Sequence, residues 1–152
     1  MSDALTYKII GAALGSLGFG IMFHGSKKHT LLAIPSAMLS IVVYLVCLDH
    51  FDLGIFLSAL IAGFVCDLYA EIMCRILKAP STVFFLIGSI PLIPGGALYY
   101  CIDKIVVRDL VMAVQYGLEA FYTALGITVG MCIAWAICDL LRKIKKKMQD
   151  SK

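Results

Sequence analysis

Long apolar runs separated by short charged clusters set the pattern of this chain. A helix needs about 20 apolar residues to cross roughly 30 Å of hydrocarbon. Cutting the sequence wherever charge or turn residues interrupt the runs predicts five such helices: Leu5 to Phe23, Leu31 to Leu48, Leu53 to Leu77, Val83 to Ile102 and Leu110 to Leu141. The connections are short, and a basic tail, 142–152, follows the last span. Nothing between the spans is long enough for a soluble domain, so residues 1–152 read as one all-α, polytopic membrane domain with about five transmembrane helices.

Composition strengthens the membrane reading: 61% of residues are hydrophobic and 15% charged, and the mean hydropathy is +0.95. That balance lies outside the range of soluble globular domains. The first residues, Met1 to Lys8, lack the basic region and small-residue cleavage site of a secretory signal, so this end is expected to be retained.

Charge then gives a direction. One set of chain ends and loops carries Lys27, Lys28, Arg75, Lys78, Arg142, Lys143, Lys145, Lys146, Lys147 and Lys152, whereas the other carries Lys8, Lys104 and Arg108. Basic residues close to the spans stay on the cytoplasmic side. The N-terminus is therefore expected outside and the C-terminus in the cytoplasm, in the cell (inner or plasma) membrane, with the Asp49, His50, Asp52 turn outside. His24, His29 and His50 are assigned to loops. A basic run adjoining an apolar helix reads as an anchor on anionic lipid headgroups, and no nucleic-acid partner is expected. The six cysteines, Cys47, Cys66, Cys74, Cys101, Cys132 and Cys138, include no CxxC pair and sit in or beside apolar runs. They read as small buried hydrophobes, with no metal site or cofactor expected.

Small residues indicate how the helices meet, because lipid gives no hydrophobic push and close backbone approach must supply the packing. Gly11 and Gly15 form a GxxxG in the first span, continued by Gly18 and Gly20; Gly126 and Gly130 form another in the fifth. Both are expected to be helix contacts within or between subunits.

The third span carries the most costly polar groups. Ala59, Gly63, Asp67, Glu71 and Arg75 follow at four-residue intervals and share one face. From a midpoint near Val65, a rise of about 1.5 Å per residue puts Asp67 roughly 3 Å away, Glu71 roughly 9 Å and Arg75 roughly 15 Å. Arg75 can snorkel to the headgroups and pair with Glu71 at i, i+4. An ionised Asp at the depth of Asp67 costs about 2.5 to 3.5 kcal/mol even on the lenient insertion scale, which calls for protein-lined or watery surroundings. A carboxyl able to exchange a proton there is what a proton-coupled carrier needs; an interhelical hydrogen bond or ion pair is the structural alternative.

The fourth span contains Ile90-Pro91-Leu92-Ile93-Pro94-Gly95-Gly96, which cannot continue as a regular helix. Carbonyls near Ser89 and Ile90 are expected to lose their donors and to be buried or line a cavity, as in the discontinuous helices of carriers. In the fifth span Gln115, Glu119 and Thr123 add a weaker polar stripe, with Glu119 a further pathway candidate.

The run Phe64 to Tyr100, FVCDLYAEIMCRILKAPSTVFFLIGSIPLIPGGALYY, resembles the ThrE family of threonine/serine exporters. The resemblance is carried by Glu71, Arg75, Pro80, Pro91, Pro94, Gly95 and Tyr100. It implies the smaller protein of a two-protein exporter, working with a larger subunit of the same family. The implied cargo is threonine, serine or a dicarboxylate such as succinate, moved at the expense of the proton gradient; a second copy of the chain remains open. Asp67 belongs less clearly to that pattern than Glu71. Two halves with an odd number of spans insert in opposite orientation, as in the inverted repeats of carriers, with the site near the midplane where they meet.

In this reading Glu71, with Asp67 as second candidate, takes up a proton or contacts a substrate amine. Arg75 attracts a carboxylate or restrains Glu71. The face bearing Asp67 and Glu71 is then expected to point at the Pro94-Gly95-Gly96 break or at an intersubunit cavity. The rival is an accessory subunit that stabilises a larger partner without contacting substrate. No constellation of an enzyme is visible, so catalysis is not expected.

Overall fold

The computed structural model describes residues 2–22 and 27–150. Phe23, His24 and Lys152 of the sequence assignments lie outside the described residues. Six α-helices follow one another: α1 (Ser2–Met22), α2 (Lys27–Asp49), α3 (Gly54–Leu77), α4 (Ser81–Ser89), α5 (Gly95–Val106) and α6 (Leu110–Asp150). A 3₁₀ turn, Ile90–Leu92, joins α4 to α5. Among the described residues, three helices contain spans long and apolar enough to cross a membrane, His29–Asp49, Gly54–Leu77 and Leu110–Ile144; the α4/α5 pair, bent by 47°, makes a fourth if taken as one span. The apolar part of α1, Thr6–Met22, is shorter, at the lower limit of about 17 residues for a crossing helix.

The directions of the rods follow from their contacts. Ser36 meets Cys66 and Tyr69 donates to the Leu32 carbonyl at 2.9 Å, so α2 and α3 are antiparallel. Gly126 faces Phe56 and Ala59, and Gly130 faces Leu60 and Phe64. Helices α3 and α6 therefore run parallel, and the end of α3 that carries Arg75 lies at the end of α6 that carries Arg142.

The interior is built from small and hydroxyl-bearing residues. Ala33, Ala37, Ala59, Ala62, Ala70, Ser16, Ser36, Ser40 and Ser58 are buried, while Leu14, Ile21, Leu31, Leu57, Ile102, Val111 and Trp135 are exposed. Lipid tails are as apolar as leucine, so backbones that approach closely through small residues supply the contact energy. Phe84 is the largest fully buried side chain. It anchors a cluster with Ala33, Ala70, Ala79 and Ile87, and the His29 ring packs on it edge-on, 5.8 Å away. This corrects the loop assignment of His29, which lies in the first turns of α2. The tail assignment changes as well, because α6 continues as helix to Asp150.

Candidate functional site

The break in the fourth rod shows how removed donors are replaced. Pro91 has no N–H, so the carbonyl of Ile87, four residues earlier, loses its helical partner. The Ser16 hydroxyl of α1 donates to that carbonyl at 3.1 Å, and the Ser40 hydroxyl of α2 donates to the neighbouring Gly88 carbonyl at 3.0 Å. Pro94 removes the donor for Ile90, and the Ile93 N–H takes its place at 3.2 Å in the 3₁₀ turn. Ile93 is extended, with φ −61° and ψ 125°, and α5 starts again at Gly95. The sequence reading expected free carbonyls near Ser89 and Ile90. Instead the carbonyls that receive outside donors are those of Ile87 and Gly88, two residues earlier, and serines of α1 and α2 supply them.

A groove of about 270 Å³ beside the break is lined by Lys8, Gly11, Ala12, Gly15, Ile41, Ile90 and Pro91. Gly11 and Gly15 face open space, where an added Cβ would meet nothing within 4 Å. They make no close helix contact within this chain. Tight approach occurs at Gly126 and Gly130, and also at Gly20, Gly63 and Gly88. At Gly126 a Cβ would lie 2.8 Å from the Ala59 Cβ, and at Gly63 it would lie 2.8 Å from the Ile127 carbonyl oxygen.

The four-residue stripe of α3 faces α6. Ala59 and Gly63 make the close backbone contact just described, and one turn further Asp67 is 8% exposed and Glu71 2% exposed. Asp67 lines an open groove of about 330 Å³ together with Ser81, Thr82 and Phe85 of α4 and Met131, Cys132 and Trp135 of α6, of which Cys132 and Trp135 are exposed. Its Oδ2 has no hydrogen-bond partner among the described residues, a condition shared only with Thr30 Oγ1 among their buried side-chain oxygens and nitrogens. Glu71 is handled differently. Arg142 of α6 donates to its Oε2, and Arg75 lies 3.8 Å from the same oxygen. Both arginine side chains are about half exposed, Arg142 at 46% and Arg75 at 49%, so a buried carboxylate lies between two cationic side chains that reach the surface.

The structure thus brings Asp67, Glu71 and Arg75 together with α6 and the start of α4, and not with Pro94, Gly95 and Gly96. Of the two alternatives expected for the acidic face, the break and an intersubunit cavity, the first is corrected. Glu119 is partly buried, and its carbonyl accepts from the Thr123 hydroxyl at 2.8 Å within α6; Gln115 is exposed. Tyr100 is also exposed and packs on Tyr116, with centroids 5.4 Å apart, at the α5/α6 contact.

Residues 8–137 match the protein family described as Threonine/Serine exporter, ThrE. The chain belongs to the threonine/serine exporter family. No curated protein and no solved structure matches it. Membership supports an exporter's role in a membrane, a transporter rather than an enzyme. The matched segment of this exporter includes Asp67, Glu71, Arg75 and the whole break, whereas Arg142 lies beyond its end. Sequence reasoning placed Arg142 among headgroup anchors and missed it as the partner of Glu71. It also passed over Ser16, Ser36 and Ser40, whose one visible signal was the i, i+4 spacing of hydroxyls at 36 and 40 in an otherwise apolar helix.

Proposed function

We propose that this chain is the smaller membrane half of a two-part, proton-coupled exporter of threonine, serine or a related small carboxylated metabolite, with the Asp67 groove on the transport path. One observation carries the reading: Asp67, whose buried Oδ2 has no hydrogen-bond partner among the described residues, lines a groove between three helices. A charge so placed is costly in a bilayer and marks ion and substrate routes. The groove, about 330 Å³, sits at the small end of the roughly 300–1,000 Å³ typical of ligand sites. Asp67 is the group that receives the proton or the substrate amine. Glu71, already clamped by Arg142 and Arg75, holds α3 to α6. This reverses the order of the two carboxyls inferred from the family pattern.

The orientation reading is kept in this proposal. The ends of α3 and α6 that carry Arg75, Lys78, Arg142 and Lys143 lie together, and the positive-inside rule puts that end of the bundle in the cytoplasm. A larger subunit of the same family supplies the rest of the path.

The test is export from cells producing both subunits, at matched membrane abundance. Asp67→Asn is expected to lower export by about tenfold or more, equivalent to ~1.4 kcal/mol in the barrier, and to flatten its dependence on external pH. Normal export with an unchanged pH profile in Asp67→Asn removes the groove from the path. The observation that favours the accessory reading is the saturation of Glu71 by two arginines, which is a structural role; that reading prevails if Asp67→Asn, Glu71→Gln and Arg75→Ala all export normally.

A further inference from the structure

The groove that Asp67 lines has two chemically different ends, and the helix registers set their separation. Gly88 packs on Cys66 and Phe84 clusters with Ala70, so α4 runs antiparallel to α3. Counting a rise of about 1.5 Å per residue from these contacts sets Ser81 and Thr82 roughly 8–9 Å from Asp67, toward the charged end of α3. On α6, Gly130 faces Leu60 and Phe64, and the same count brings Trp135 level with Asp67. Phe85 falls between, as the apolar wall.

Each end lacks a partner that the described residues do not supply. At one, Asp67 is 8% exposed and its Oδ2 accepts no hydrogen bond. Trp135 lines the groove at this level, and an indole is the strongest side-chain partner for a cation after a carboxylate. A carboxylate and an indole together select an ammonium. The other end is the N-terminus of the nine-residue α4. Its N-cap is Pro80 and no side chain caps it. The first-turn N–H groups and the hydroxyls of Ser81 and Thr82 are therefore donors at the positive end of the helix dipole, where carboxylates bind. A hydrogen bond of about 3 Å at each end leaves only a few Å for the cargo itself, which is the span from ammonium to carboxylate in an α-amino acid.

We propose that this groove is a zwitterion site, with the ammonium of an α-amino acid on Asp67 beside Trp135 and its carboxylate on the first turn of α4 at Ser81 and Thr82. Glu71 does not compete for the ammonium, because Arg142 and Arg75 already hold it. A dicarboxylate satisfies the α4 end and is repelled by Asp67 at the other. The cargo is thereby narrowed from any small carboxylated metabolite to one that carries both charges. The proposal rests on the reading of the groove as part of the transport path, but its test does not use transport.

Cys132 lines the same groove, is exposed and is free. In membranes of cells producing both subunits, the rate at which a small maleimide modifies Cys132, read on its peptide by mass spectrometry, reports occupancy; Cys101, outside the groove, is the control. At about 10 mM, ten times a Kd of ~1 mM, L-threonine or L-serine is expected to slow Cys132 about tenfold and leave Cys101 unchanged. Ethanolamine, which has no carboxylate, propionate, which has no ammonium, and succinate are each expected to slow it less than about twofold. Asp67→Asn is expected to abolish the protection, with Cys101 still modified at its original rate as the sign of an intact fold. Equal protection by succinate overturns the zwitterion assignment, and protection that survives Asp67→Asn overturns the place of the ammonium. Absence of protection by any solute overturns the site. So does a Cys132 that does not react at all, since a groove closed to water admits no zwitterion. If threonine protects while Asp67→Asn exports normally, the site stands and its place on the path falls; lost export without protection does the reverse.

Discussion

The break between α4 and α5 and the seam between α3 and α6 both bury polar groups inside an apolar chain, and they treat them in opposite ways. At the break each carbonyl that a proline strips of its donor has a neutral replacement, Ser16 for Ile87 and the Ile93 amide for Ile90, and Ser40 donates to the neighbouring Gly88 carbonyl. At the seam the groups are charged, one carboxylate has two cations, and another has no hydrogen bond to its Oδ2. An interruption of a helix is thus no sign of function by itself, since neutral hydroxyls can complete it. A mismatch that the surrounding helices leave uncorrected is more informative, because correcting it would take one hydroxyl.

The sharpest way to break this comparison is to unbalance the seam. Replacing both Arg75 and Arg142 by alanine leaves Glu71 buried without a cation, and a loss of about 3–5 kcal/mol is expected, read as a large fall in thermal unfolding midpoint in detergent. Retention of the midpoint would mean that Glu71 is neutral or hydrated and the seam is not ionic. Next comes Gly130→Val, which drives a side chain into the Leu60 carbonyl; about 1–3 kcal/mol of destabilisation is expected, against no more than ~0.5 kcal/mol for the same change at a surface site.

The break should respond more mildly and without charge. Ser16→Ala strips the Ile87 carbonyl of its donor, for an expected cost of about 1–3 kcal/mol, read as a lower thermal unfolding midpoint in detergent. An unchanged midpoint would show that the Ile87 carbonyl does not need this donor. The smallest effect is assigned to Gly11→Ala and Gly15→Ala. Both positions are open, and alanine is the better helix former by up to ~1 kcal/mol, so unchanged or slightly raised stability is expected in circular dichroism melts of the isolated chain. A marked drop would mean that a partner helix packs there.

Much of this was legible from local pattern. Apart from the C-terminal end of α6, which runs nine residues past Leu141, the helix ends fall within about four residues of the places where charge interrupts the apolar runs, and the sequence Pro91 to Gly96 marks the break because proline chemistry acts on the residue four positions away. The α3 stripe was visible for the same reason, as a period of about four residues. Partners across helices were not legible. A cluster such as Arg142, Lys143, Lys145 looks the same whether it lies on headgroups or turns one member back to Glu71. The two GxxxG motifs are likewise identical as text, yet Gly126 and Gly130 pack closely on α3 while a Cβ added at Gly11 or Gly15 would meet nothing within 4 Å. Periodicity states which face a residue occupies and is silent on what that face meets.

The hydrogen bond from Ser16 to Ile87 joins residues 71 positions apart, and its direction in the chain has a consequence for biosynthesis. The donor is made first. At roughly 5–20 residues per second a ribosome needs about 4–14 s to travel from one to the other. When the stretch containing Pro91 reaches the bilayer, the helix that will complete it has already had that interval to insert. A chain that begins after α1 would meet the same proline with no such donor waiting, so trimming from the front is expected to harm insertion of the fourth rod, far downstream of the cut.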